Sequence, residues 1–162
     1  MLASPSRQGR PADFYTKENF LFLPGAEYPK ERLERPYFGI AINTKLFRRD
    51  RDGNKPDLRL SQIEVPERTV LFLEQGLPHE PKAHPTISSG DYDGSPKGSA
   101  KSFVGRYNKR GIILFASGHV EEVTGKQLLR STGEIEWSPE MATSPSAILW
   151  TANPKEDPNA RP

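Results

Sequence analysis

The chain has 162 residues and a mass of 18.2 kDa, room for one domain of ordinary size. Its 13 glycines and 16 prolines are spread along the sequence, which excludes a coiled coil or helical bundle and favours short strands joined by turns. With 23 basic against 21 acidic residues the net charge is +2, too small a field to draw in nucleic acid or a membrane surface, and the lack of cysteine excludes disulfides, thiolate zinc and cysteine catalysis.

In chain order, residues 1–13 are polar and rich in Ser, Arg and Pro, and read as a leader or truncated linker. Phe14 to Leu23 is a short apolar segment stopped by Pro24-Gly25, and Glu27 to Arg35 has the charge of a single helical turn. Tyr37 to Lys45 predicts a strand covered on both faces, because both alternating sets are apolar or small. A charged turn follows at Arg48 to Asn54, then Leu58 to Ile63 as a short helix or edge strand ended by Pro66. Thr69 to Glu74 is a continuous β-favouring run and predicts a buried strand. Gln75 to Ser102 has few large apolar residues and many Gly and Pro, the pattern of a functional loop or a surface insertion.

Phe103 to Val123 carries the clearest local signal. Ile112 to Phe115 form a strand, Ala116-Ser117-Gly118 a tight turn, and His119 to Val123 a returning strand. Thr124 and Gln127 are placed as a capping box for a short helix with Leu128 and Leu129 inward, ending near Gly133. Ala147 to Thr151 predicts a last strand before a polar tail. The expected architecture is an α+β domain built on a small antiparallel sheet, with the head at 14–152 and the tail at 153–162. There is no run of 18 apolar residues and no signal-peptide pattern at the start, so any export or anchoring segment is expected upstream of Met1.

Arg106-Tyr107-Asn108, the strand Ile112-Ile113-Leu114-Phe115-Ala116, and Ser117-Gly118-His119-Val120 resemble the signature of the prepilin-type domain of bacterial pseudopilin-like proteins. That domain is named for a histidine, nine residues, and Asp-Gly; here Tyr107 and Ser117 stand at the two name-giving positions. Tyr37 to Asn43, Leu60 to Phe72, and Ile148 to Thr151 with Pro158-Asn159 are similar to further family segments in the same order. The family's N-terminal cleavage motif and long apolar helix have no counterpart in these residues.

The resemblance implies a pilin-like head in the bacterial envelope, periplasmic or at the cell surface, anchored by an upstream segment. Its partners would be other pilin-like subunits or secretion-apparatus proteins of a type II secretion or type IV pilus assembly, with no catalysis, cofactor or nucleic acid. The motif residues expected to stabilise the hairpin are Arg106, Tyr107, Asn108, Phe115, Ser117, Gly118 and His119, Tyr107 offering its hydroxyl where the family has an imidazole.

Other groupings are read against their simplest explanation. Asp50, Asp52, Asn54 and Asp57 alternate like calcium ligands, and Asp91 and Asp93 form a second pair, but three arginines and a misplaced glycine favour a charged hairpin tip. His79 and His84 would need a third metal ligand such as Glu80, Asp91 or Asp93, and read more simply as solvated loop histidines. Lys97, Lys101, Arg106, Lys109 and Arg110 form a basic stretch interleaved with Phe103 and Tyr107, read as a solvated face. No nucleophile elbow, phosphate loop or paired-histidine zinc helix occurs. The competing function is a secreted glycan- or protein-binding module that stacks ligands on Trp137, Trp150 and Tyr92 beside the 75–102 loop.

Overall fold

The strands are β1 (Ile40–Asn43), β2 (Val70–Glu74), β3 (His84–Pro85), β4 (Lys97–Gly98), β5 (Val104–Gly105), β6 (Arg110–Phe115) and β7 (Val120–Thr124), followed by one helical turn, α1 (Gly125–Leu128). They belong to a computed structural model that describes residues 23–28, 37–47, 58–78, 80, 84–85 and 94–160. The expected leader, most of the Phe14–Leu23 and Glu27–Arg35 segments, Tyr92, His79 and all six calcium candidates lie outside the described residues.

Five strands form one sheet in the order β4-β1-β2-β6-β7, and β3 and β5 pair separately. β1, β2, β6 and β7 are antiparallel neighbours, but β4 lies parallel to β1, so the sheet is mixed and not purely antiparallel. The cause is the long connection after β2. A tight turn can only return a strand antiparallel, whereas a long excursion can bring the chain to the far edge in either direction. The expected 75–102 loop therefore contributes strands β3 and β4 and a 3-10 turn at Ala100–Ser102, and it buries Leu77 and Ala100.

Pairing register assigns the two sheet faces, because residues directly opposite one another share a side. Ala41, Leu73 and Ile113 form one cross-strand row, and they pack with Phe103, Val123, Leu128, Leu129, Ile135 and Trp150 into the core. Ile42, Phe72, Leu114 and Val120 form the neighbouring row on the opposite face. None of these four is fully buried, and Val120 is 56% exposed. Ile40, on the same side, is 39% exposed, so β1 is not covered on both faces as its composition suggested.

Several expected elements are shorter than predicted. β1 ends at Asn43 and passes into a 3-10 turn, and Leu58 to Ile63 contains a 3-10 turn at Leu60–Gln62. α1 stops at Leu128, short of Gly133, because Leu129 bridges Ile135 across a tight turn that holds Gly133 at φ +81°. Its capping pair forms as expected, with Thr124 N and its hydroxyl 2.8 and 3.0 Å from Gln127 Oε1. The last strand reduces to a single bridge from Leu149 to Thr69. Arg68 secures the chain before it, donating to the Met141 and Ala142 carbonyls at 3.1 and 2.9 Å and to that of Ser144. The segment read as a polar tail is docked: Asn159 bonds both the N–H and the carbonyl of Ile135, at 2.8 and 3.0 Å.

β6 is held by a tight turn at each end. The expected one, at Ala116 to His119, closes with Gly118 N on Phe115 O and Phe115 N on His119 O, both 2.9 Å, and Gly118 has φ +95°. The other was not anticipated. Tyr107 and Arg110 exchange two 2.9 Å backbone bonds around Asn108 (φ 51°) and Lys109 (φ 66°), the geometry of a two-residue type I′ turn. Asparagine accepts that conformation readily; lysine does so at a cost. Lys109→Gly is therefore expected to stabilise the fold by about 0.5–1 kcal/mol, part of the relief being offset by glycine's larger unfolded-state entropy. Urea denaturation should show a higher midpoint with an unchanged slope.

Candidate functional site: a buried ion pair beneath the Tyr107 turn

The motif residues separate into two groups at opposite ends of β6. At roughly 3.3 Å per residue the six-residue strand puts these ends about 17 Å apart. Arg106, Tyr107 and Asn108 gather at the first turn, and Ser117, Gly118 and His119 at the second, with Phe115 beneath them.

At the first turn, Arg106 Nε donates to Glu80 Oε1 at 2.7 Å and Nη2 to Glu80 Oε2 at 2.8 Å, a two-pronged pair with side chains 2% and 0% exposed. Charges this far from water must have further partners. Arg106 Nη2 also donates to Gln75 O at 2.6 Å, and the two Glu80 oxygens accept from Glu27 N at 3.2 Å and Leu77 N at 3.0 Å. The Leu23–Tyr28 strap lies over this pair. The Tyr107 hydroxyl donates to Pro24 O at 2.9 Å, and the Tyr28 hydroxyl accepts from Leu23 N at 2.9 Å. Burial pushes both phenols above their ordinary range.

Glu74 completes the group. Register between β2 and β6 ends at Leu73 opposite Ile113, and two residues on Gln75 bridges Phe103 instead. Where the strands part, Glu74 Oε2 accepts the Ile112 N–H at 2.9 Å in place of a backbone carbonyl. Glu74 is 3% exposed, and burial raises its pKa from 4.5, partly countered by the Ile112 bond and by Arg106. Its Oε1 and Arg106 Nη1 are both buried with no hydrogen-bond partner.

At the second turn, Ser117 Oγ lies 2.8 Å from His119 Nδ1, and His119 Nε2 lies 3.1 Å from Glu121 Oε1. The imidazole stacks on Phe115 at 4.3 Å and 12°. A serine, histidine and carboxylate in series is the order used to activate a nucleophile, which also needs backbone N–H groups free to hold an oxyanion. The adjacent N–H groups are committed: Ser117 N donates to Pro66 O at 3.0 Å and Gly118 N to Phe115 O at 2.9 Å. The arrangement lays an imidazole over the face of a core phenylalanine.

The remaining candidates disperse. Trp150 is 1% exposed in the core, and Trp137 is half-buried with Nε1 donating to Pro154 O at 3.2 Å, so the two form no paired platform. The basic stretch breaks up because Arg106 is buried, Arg110 meets Glu122 at 3.3 Å, and Phe103 lies in the core. His84 lies in β3 opposite Gly105. Among the described residues no group of three His, Cys, Asp or Glu could hold a metal, and no helix is long and apolar enough to cross a membrane. Sequence reasoning missed Glu74 and the Glu80–Arg106 pair. The visible signal was a glutamate closing the apolar run Val70-Leu71-Phe72-Leu73. No family model, curated protein or solved structure matches this chain.

Arg106→Ala would strand a buried carboxylate and is expected to cost about 3–5 kcal/mol in chemical denaturation. Glu74 acts in the opposite sense. Between pH 4.5 and its raised folded value, the unfolded chain has ionised while the folded one keeps its proton, so stability falls as pH rises and then levels off. Glu74→Gln removes that loss. Its melting temperature should exceed that of the parent at pH 7, and the gap should shrink below about pH 4.5.

Proposed function

We propose that this chain is the head of a pseudopilin-like subunit of a type II secretion or type IV pilus-type assembly, acting by packing and partner presentation rather than by catalysis. The observation that carries the reading is the row Ile42, Phe72, Leu114 and Val120, which lays apolar side chains across four strands on the face opposite the core. A soluble domain rarely leaves so continuous an apolar row only half-covered unless something docks there. A pilin-like head needs such a face to receive an apolar helix. The hairpin residues from Arg106 to Val120 support the same reading through their likeness to the prepilin-type signature.

The deciding experiment is to sequence the gene upstream of the Met1 codon. The expected result is an open frame continuing into about 20 apolar residues behind a short basic leader. A genuine start at Met1 without such a segment would remove the physical basis for assembly and overturn the reading. A protein-level test follows from the exposed end of the row. Val120→Glu should change head stability by no more than about 0.5 kcal/mol while abolishing co-purification of the subunit with the membrane-bound assembly. Undiminished co-purification would show that this face does not carry assembly.

A further inference from the structure

Glu74 Oε1 and Arg106 Nη1 are a buried acceptor and a buried donor, neither with a partner, set where β2 and β6 diverge. Arg106 Nη2 is 2.6 Å from Gln75 O, next in sequence to Glu74, which brings the guanidinium to the same end of the split. Each such orphaned group is costly to leave unsatisfied, more so when charged. The side chains do not bond one another directly.

The chemistry selects what could lie between them. An anion would be repelled by Glu74 and Glu80, and a cation by Arg106. A neutral molecule that both donates and accepts satisfies the two atoms at once, and water is the smallest such molecule.

We infer that the split between β2 and β6 holds one internal water, which accepts from Arg106 Nη1 and donates to Glu74 Oε1. It completes a polar chain running from Glu27 N through Glu80, Arg106, the water and Glu74 to Ile112 N, and so ties the Leu23–Tyr28 strap to the central strand. The strap and the strand split then behave as one unit.

A crystal structure of the described chain at about 1.5 Å, with refined waters, tests the site. The expected result is a density peak between roughly 2.6 and 3.2 Å from both atoms. A direct Glu74–Arg106 bond, or no peak in the split, would overturn the inference. The link to the strap is tested by hydrogen exchange in solution. Glu74→Gln, whose amide oxygen can still accept from Ile112 N and whose amide nitrogen can donate to the water, keeps a polar partner beside the water and should leave exchange at the Glu27 amide within about twofold of the parent. Glu74→Met removes it and should raise exchange there at least tenfold. Equal exchange in the two variants would overturn the coupling, and should Glu74→Met fail to fold, the density peak decides.

Discussion

Arg106 and Glu80 are opposite charges held away from water, and the path of four chain segments follows from satisfying them. A buried ion pair adds little net stability over apolar side chains of the same volume, but separating its members is heavily penalised. It therefore works as a selector of arrangement. The segment from Gln75 to Glu80 has little to hold it by packing, Leu77 being its one large buried apolar side chain. The two-pronged pair supplies the missing register, because a guanidinium fork accepts a carboxylate in a narrow range of orientations. Once Glu80 is placed, Leu77 N and Glu27 N have their acceptors, and Gln75 O gains the second Arg106 bond.

Strand β6 serves both halves of the molecule. One side sends Ile113 and Phe115 into the core, and the other sends Ile112 and Leu114 to the half-covered face. Its neighbour β7 is a sheet edge, and an open edge invites pairing with another chain. Glu121 and Glu122 are exposed on that edge and oppose such pairing. Under the proposed assembly, association through the apolar face would thereby be favoured over pairing along this edge. That distinction matters for a subunit proposed to pack by one surface, since edge pairing would compete as aggregation.

What could be read from the sequence was local. The hairpin around Gly118, the β2 run and the Thr124–Gln127 pair each depend on residues within a few positions, and all three formed. What could not be read was the non-local wiring. Nothing in a loop rich in Pro and Gly marks Lys97–Gly98 as a strand parallel to β1, because two residues carry no periodicity. Glu80 and Arg106 lie 26 positions apart with no pattern between them, so their pairing is a product of the fold. The type I′ turn escaped notice for a different reason. Its second position holds Lys109 where glycine is the usual signal, and the turn is imposed by the strands on either side. Leu149 kept only one bridge because docking of Asn153 to Ala160 and the Arg68 contacts fix the chain around it without a ladder.

The residues shared with the prepilin-type signature, once placed, have work of shape to do. Arg106 anchors the loop, Asn108 takes a left-handed turn position, Gly118 takes another, and His119 covers Phe115. So placed, these residues close β6 at both ends. Tyr107 fits the same pattern. Its ring carries a hydroxyl beyond the reach of an imidazole, and that hydroxyl meets Pro24 O across 83 positions of sequence. The Tyr107 hydroxyl thus ties the turn directly to the strap. If packing is the function, the motif secures the frame, while the surface that would carry the function is the four-strand row, of which only Leu114 and Val120 lie within the motif. Selection on the hairpin and selection on the docking face would then act on largely different residues. The hairpin part of the likeness therefore says more about how the head is closed than about what it meets.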